Sequence, residues 1–268
     1  MVITKVYVSA DMEGIAGIVS RDQLIPGERL YDEGRDLLTD EVNAMVDALV
    51  SAGVDEIVVK DAHYAGLNLR LNRLHKAARY CLGPGRGADR FAGLDETFDG
   101  AILLGYHARA GTPRAIRDHT MTSLNWQSVS LGEQEVGEIG LDALMFGLTG
   151  VPVILVTGDD KACAEAREQL GEAVSTLETK RAHGRHAGVI KAPKAVYDEY
   201  PTVVKEAIAA RSRLRPYTIP GPYTLTIRYT STDLVDALYI DSERDSRVDG
   251  RTVRYTDVNL SRLLARAL

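Results

Sequence analysis

With 268 residues, 45% of them hydrophobic and 26% charged, the chain can bury a full core and suits one large domain, or a main domain with a smaller one. Its 32 Lys and Arg stand against 38 Asp and Glu, a formal net charge of -6. No basic block or basic-aromatic stripe accompanies them, which argues against a nucleic-acid partner.

The segments are taken in chain order. Residues 6–10 read as a buried strand that breaks off into Asp11 and Glu13. The stretch Asp36 to Ala52 places Leu37, Leu38, Val42, Met45, Val46 and Leu49 at helical spacing, with Gly53 as its stop. Residues 56–60 form a second strand that runs into KDAH and His63, and a loop with a short helix over 67–76 leads through ARYCLGPGRG to a third strand, 101–105, which ends at His107. A long polar loop follows, then a helix from Glu138 to Leu148, a fourth buried strand over 151–157 ending in Gly158, Asp159 and Asp160, and a helix over 162–169. Alternating strands and helices predict an α/β fold, a parallel-sheet main domain with helices on both faces.

Beyond residue 188 the composition shifts. A helix within KAPKAVYDEYPTVVKEAIAARSRL, a strand alternating Leu225, Ile227 and Tyr229 with polar neighbours, a helix over 232–238, a strand TVRYT and a terminal helix over 258–267 suggest a small C-terminal α+β module. The expected division is therefore a catalytic domain over 1–188 and a packing or oligomerisation module over 189–268. Cys81 and Cys163 are too few and too far apart for a disulfide framework or a zinc ribbon and suit a reducing compartment. The N-terminal stretch has no basic segment followed by an apolar core, and no run approaches the roughly 20 apolar residues of a membrane span. The expectation is a cytoplasmic protein without membrane attachment.

The first three strands each end in a metal-ligand residue type. In an open parallel sheet, side chains at the carboxyl ends of strands converge in one crevice. Asp11 and Glu13, two apart on an extended backbone, point the same way and repel unless a cation lies between them, and Gly14 lets the chain turn sharply beneath it. His63 and His107 supply imidazoles, with Asp61 placed to orient the first of them. Glu138 opens its helix in VGEIG, where Gly137 permits close backbone approach. Two divalent zinc ions would leave the set Asp11, Glu13, Glu138, His63 and His107 at +1, and one hydroxide would neutralise it. A bridging Asp11 with two further ligands per ion leaves an open position for water. Other candidates are weaker: His183 and His186 read as a solvated loop, His75 as structural, and GPGRG lacks the Lys-Ser/Thr of a nucleotide loop. Asp159 and Asp160 suit either the pocket or a helix cap, and Asn125 and Trp126 are candidates for the pocket, of unassigned role.

SADMEG, KDAHYAG, GYHARAGTP, RDHTMTS, VGEIGLDA and VTGDD, in this order, closely resemble the motifs of the binuclear zinc D-aminopeptidases of the dipeptide-transport operon type. The resemblance runs motif by motif over roughly residues 5 to 165 and continues more loosely in the later module. It implies that Asp11 bridges two zincs, that Glu13 and His63 complete one and His107 and Glu138 the other, and that His119 of RDHT is the catalytic histidine. It further implies hydrolysis of the N-terminal residue of short D-amino-acid peptides by a metal-bridged water, inside a ring-like homo-oligomer. The same site could serve L-peptides or another small amide, and a metal-stabilised structural oligomer is the non-enzymatic alternative.

Overall fold

Runs of Val, Ile, Leu and Ala long enough to be buried on both faces make the centre of the principal sheet, as expected for parallel strands covered by helices. In the computed structural model, which describes residues 3–85 and 90–268, this sheet has seven strands. Their order is β3 (Ala78–Cys81), β2 (Glu56–Asp61), β1 (Lys5–Ala10), β4 (Gly100–Tyr106), β7 (Val153–Asp159), β8 (Ser175–Gly184) and β9 (Ala187–Ile190). Every pair is parallel except the β8–β9 hairpin. Every residue of β4 and β7 is buried.

From β1 the chain moves outward through α1 (Tyr31–Ser51) to β2, whereas from β4 it moves the other way through α2 (Glu138–Leu148) to β7 and α3 (Asp160–Leu170) to β8. Right-handed crossovers in opposite directions put these helices on opposite faces. Tyr7 of β1 meets Phe146 of α2 edge to face on one side. On the other, α4 (Pro193–Ala210) packs against α1, its Tyr200 hydroxyl donating to Glu41 at 2.6 Å. The reversal between β1 and β4 is the switch point of the sheet, and a crevice opens at their carboxyl ends.

A second, antiparallel sheet has the order β11 (Asp245–Arg247), β12 (Thr252–Asp257), β10 (Tyr223–Tyr229), β5 (Trp126–Leu131) and β6 (Gln134–Glu135). A short α5 (Thr232–Asp236) follows β10, and α6 (Leu260–Ala267) covers the sheet with Leu260, Leu263 and Leu264.

The expected division at residue 188 needs correcting in two ways. It falls inside β9, which pairs with β8 of the main sheet, and α4 beyond it packs on α1. The second sheet also recruits the β5–β6 hairpin from within the long loop after His107, because Val129 and Leu131 alternate with serines and find their partner in Ile227 and Leu225 of β10. The helix expected from Asp36 begins at Tyr31, its polar first turn carrying Gly34 against the Gln23 carbonyl. The GPGRG segment lies partly outside the described residues, at Arg86 and Gly87. No helix among the described residues is long and apolar enough to cross a membrane.

Candidate metal centre

The turn after β1 is built against the end of β4. Asp11 N–H donates to the Leu104 carbonyl at 2.8 Å and Gly14 N–H to the Gly105 carbonyl at 2.7 Å. A Cβ on Gly14 would lie 2.1 Å from the Tyr106 carbonyl oxygen, so a side chain there would drive the turn off the strand. The outer half of the turn is held by buried charge. Lys180 Nζ donates to the carbonyls of Glu13, Ile15 and Ile18 at 2.6, 2.7 and 2.6 Å, and Glu41 accepts from Ala16 N–H at 2.8 Å. Burial lowers the Lys180 ammonium to about 8 and raises the Glu41 carboxyl to about 7. With the backbone thus fixed, the buried carboxylates of Asp11 and Glu13 face the crevice.

His63 and His107 present themselves in matching fashion. Each ring has one nitrogen against a backbone carbonyl, His63 Nε2 at 3.0 Å from Leu24 O and His107 Nδ1 at 3.0 Å from Ala108 O. As donors there, the rings turn their other nitrogen toward the acids, in the tautomer a metal ligand requires. His63 Nδ1 lies 3.0 Å from Asp11 Oδ1 and 3.1 Å from Glu13 Oε2. His107 Nε2 lies 3.5 Å from Asp11 Oδ2 and 3.2 Å from Glu138 Oε1. Asp11 thus stands between the two halves with one oxygen toward each imidazole.

Glu138 comes from the first turn of α2, whose cap Gly137 sits so close to Arg109 that a Cβ would approach its Cβ to 2.8 Å. Glu138 Oε1 accepts from Met121 N–H at 2.8 Å, and Oε2 faces Arg90 Nη2 at 3.4 Å. Arg90 is itself held by Asp142 at 2.7 Å, and Asp142 accepts from the Tyr106 hydroxyl at 2.5 Å. His119 stacks on His107 with ring centroids 4.0 Å apart, its Nδ1 against the Arg117 carbonyl at 2.7 Å and its Nε2 3.6 Å from Glu138 Oε1. All six sequence candidates therefore meet in one place.

The electrostatics fit a missing positive charge. Burial and then the Glu13 carboxylate raise Asp11 to about 7. Burial alone would depress His107, but Glu138, Glu13 and Asp11 outweigh it and lift the ring to about 10. Protons on the imidazoles then stand where divalent ions would. Glu13 Oε2 and His107 Nε2 are buried yet make no hydrogen bond, a costly state that an ion resolves. Imidazole nitrogens with carboxylate oxygens suit a borderline divalent ion such as zinc. Among the described residues, His107 with His119 and Glu138, and Asp11 with Glu13 and His107, form two groups whose ligand atoms lie within 4.8 Å of one another.

The sequence matches the D-aminopeptidase family over residues 4–267. This chain belongs to that family. It is 34% identical over 227 residues to a D-aminopeptidase of Bacillus subtilis, covering 85% of this chain and 82% of the relative. Its structure is similar to the Zn-dependent D-aminopeptidase DppA from Bacillus subtilis, described as a self-compartmentalizing protease, with a TM-score of 0.89 and 30% identity over 98% of this chain and 94% of that one.

In this D-aminopeptidase family member, Asp61 does not reach the His63 ring. It accepts from the N–H groups of Asn68 and Leu69 at 2.6 and 3.1 Å and from the Asn68 amide, which also donates to the His63 carbonyl at 2.7 Å. Asp61 therefore orders the loop after β2, and the Leu24 carbonyl takes the orienting role. Asp159 caps α3 through Lys161 and Ala162 N–H, and its other oxygen accepts from Ile116 N–H at 2.8 Å, tying down the loop between His107 and His119. Asp160 accepts from Ala182 N–H at 2.8 Å. His183 and His186 are exposed at the β8–β9 hairpin. Arg90, Asp142, Glu41 and Lys180 escaped the sequence reading because each acts through a partner remote in the chain.

Glu165 of α3 yields a stability prediction. One oxygen accepts from Arg109 N–H at 2.7 Å, and the other makes no hydrogen bond. Burial raises its carboxyl from 4.5 to about 7, against the Arg109 groups that lower it. A folded value above the unfolded one means stability that is full below the unfolded value and lost as pH rises through about 7. Glu165→Gln keeps the acceptor for Arg109 and cannot ionise. At matched metal content, its stability relative to the parent should rise between about pH 5 and 8.5 by on the order of 2 kcal/mol, or roughly 5 °C in Tm. Thermal melts that stay parallel across that range would contradict the buried charge at Glu165.

Proposed function

We propose that this chain is a zinc-dependent D-aminopeptidase with two ions per chain, Asp11 bridging them, Glu13 and His63 completing one site and His107 and Glu138 the other. The observation that carries this reading is the position of Asp11, with one oxygen 3.0 Å from His63 Nδ1 and the other 3.5 Å from His107 Nε2. Zinc held there supplies Lewis acidity to a peptide carbonyl and a nucleophile from water at neutral pH.

The protein's own groups do the rest. His119 donates through Nδ1 to the Arg117 carbonyl, so its free lone pair is on Nε2, toward Glu138. Burial, with His107 beside it, lowers the ring to about 4 and keeps it neutral near pH 7. A neutral imidazole can take at Nε2 the proton that water gives up as its oxygen bonds to the peptide carbonyl carbon, and deliver it to the amine nitrogen as the C–N bond breaks, a general-base role followed by a general-acid role. Arg90, fixed by Asp142, limits how far Glu138 can move. The cavity, about 420 Å³, is at the small end of the usual range for small-ligand sites and suits a short peptide. Exposed Leu124 and Tyr64 at its mouth are apolar surface that subunit contacts in a closed homo-oligomer could cover. The two free cysteines are in keeping with a cytoplasmic setting.

The D preference is a matter of which side of the anchored Cα has room, so it is tested on enantiomers. With zinc bound, kcat/KM for D-Ala-D-Ala should exceed that for L-Ala-L-Ala by at least about tenfold, or ~1.4 kcal/mol of differential transition-state binding. Equal or reversed rates at full metal content would leave a metallo-aminopeptidase and remove the D specificity.

A further inference from the structure

Among the described residues, the cavity that holds the carboxylates and imidazoles is also lined by three basic side chains, Lys60, Arg90 and Arg117. Arg90 is paired with Asp142 and Glu138, and Lys60 Nζ donates to the Gly83 carbonyl. Arg117 differs from both. It is only 6% exposed, yet its guanidinium makes no hydrogen bond or ion pair with any described residue, and its Nε is buried without a partner. The nearest acid in sequence, Asp118, is engaged by Arg185 at 2.6 Å and by Gly111 N–H at 2.9 Å.

The backbone holds this side chain in place deliberately. Arg117 N–H donates to the Arg185 carbonyl at 3.0 Å and its own carbonyl receives His119 Nδ1, so the residue is tied to the histidine that faces Glu138. Its φ of 54° is in the left-handed region, where a side-chain-bearing residue is strained and persists only when its surroundings demand it. A buried, unpaired guanidinium is costly, and the cost is relieved when a ligand supplies the opposite charge. Charge balance points the same way. With one hydroxide counted, two divalent ions and the three carboxylates are neutral together, and Arg117 adds the one positive charge that a substrate carboxylate would balance.

We propose that Arg117, whose side chain lines the cavity, receives the free C-terminal carboxylate of the peptide substrate on its guanidinium. The inference rests on the aminopeptidase reading and narrows its substrate to very short peptides. A planar guanidinium fork matches a carboxylate in shape, which a point-charge ammonium does not. Two extended residues span roughly 7 Å, and a receptor that lines the same cavity as the metal ligands suits a peptide of very few residues.

The test compares D-Ala-D-Ala with its C-terminal carboxamide on the zinc-loaded parent, Arg117→Ala and Arg117→Lys. The parent should favour the acid over the amide by at least about tenfold in kcat/KM, chiefly through KM. In Arg117→Ala that ratio should fall to near one, with Arg117→Lys between the two. A ratio unchanged by Arg117→Ala, or a parent that does not distinguish acid from amide, overturns the proposal. Calorimetry with the reduced-bond analogues of both dipeptides, which cannot be hydrolysed, reads the same site without turnover. If the parent hydrolyses neither peptide but binds the reduced acid at least about tenfold more tightly than its amide, and Arg117→Ala loses that preference, the carboxylate site stands and the aminopeptidase reading falls. If both peptides are hydrolysed and the ratio ignores Arg117, the aminopeptidase reading stands and the carboxylate receptor falls.

Discussion

Replacing Asp11 by Ala should empty both metal positions and lower kcat/KM by at least about 10²–10³-fold, the scale on which one electrostatic stabilising group is lost. The magnitude follows from its placement. One carboxylate oxygen is directed to His63 and the other to His107, so a single substitution removes a ligand from each half. Glu13→Ala and Glu138→Ala each touch one half and should reduce metal content by about one ion per chain. Stability supplies an independent measure. An ion present at about 100 times its Kd stabilises the folded state by about 2.7 kcal/mol, or roughly 5 °C or more in Tm for a chain of this size. The parent should show that rise on adding zinc and Asp11→Ala should not. Without metal the order reverses, because the variant lacks a buried carboxyl that burial and Glu13 have raised to about 7; metal-free Asp11→Ala should melt no lower than the metal-free parent. Unchanged stoichiometry in Asp11→Ala would falsify the bridging assignment.

For His119→Ala the expected result is a loss of about 10²–10⁴-fold in kcat, the usual contribution of a positioned acid-base group, with metal content and Tm kept. The structure makes this a sharp test, since His119 Nε2 is 3.6 Å from Glu138 Oε1 and belongs, with His107 and Glu138, to a group that could hold an ion. Loss of an ion along with activity would make His119 a ligand. Retained activity would make its stack on His107 structural. The division of labour rests on the Nδ1 bond to the Arg117 carbonyl, which leaves one nitrogen free for proton transfer.

The convergence of Asp11, Glu13, His63 and His107 could be read from the chain because three apolar runs each terminate in a ligand residue type and parallel strands bring their carboxyl ends together. Glu138 was legible from its place behind Gly137 at the start of α2. The parallel α/β core was legible for a similar reason: hydrophobic periodicity is a local property of the sequence. It placed α2 from Glu138 to Leu148 and brought the first strand to within a residue of its observed start.

Only the tertiary structure decided the rest. Lys180 is on a strand of mostly polar residues and reveals nothing locally, yet its ammonium secures carbonyls 162 to 167 positions earlier in the turn that carries Glu13. The β5–β6 hairpin looked like a loop until its partner strand, nearly a hundred residues later, gave its apolar face something to cover. The unpaired state of Arg117 is likewise invisible in sequence, because whether an arginine finds an acid depends on which residues the fold brings beside it. Side-chain periods fix which residues share a face or a strand end, and these are short-range. Satisfaction of buried polar groups depends on atoms brought together from across the chain, and packing alone determines which of them remain free for a ligand.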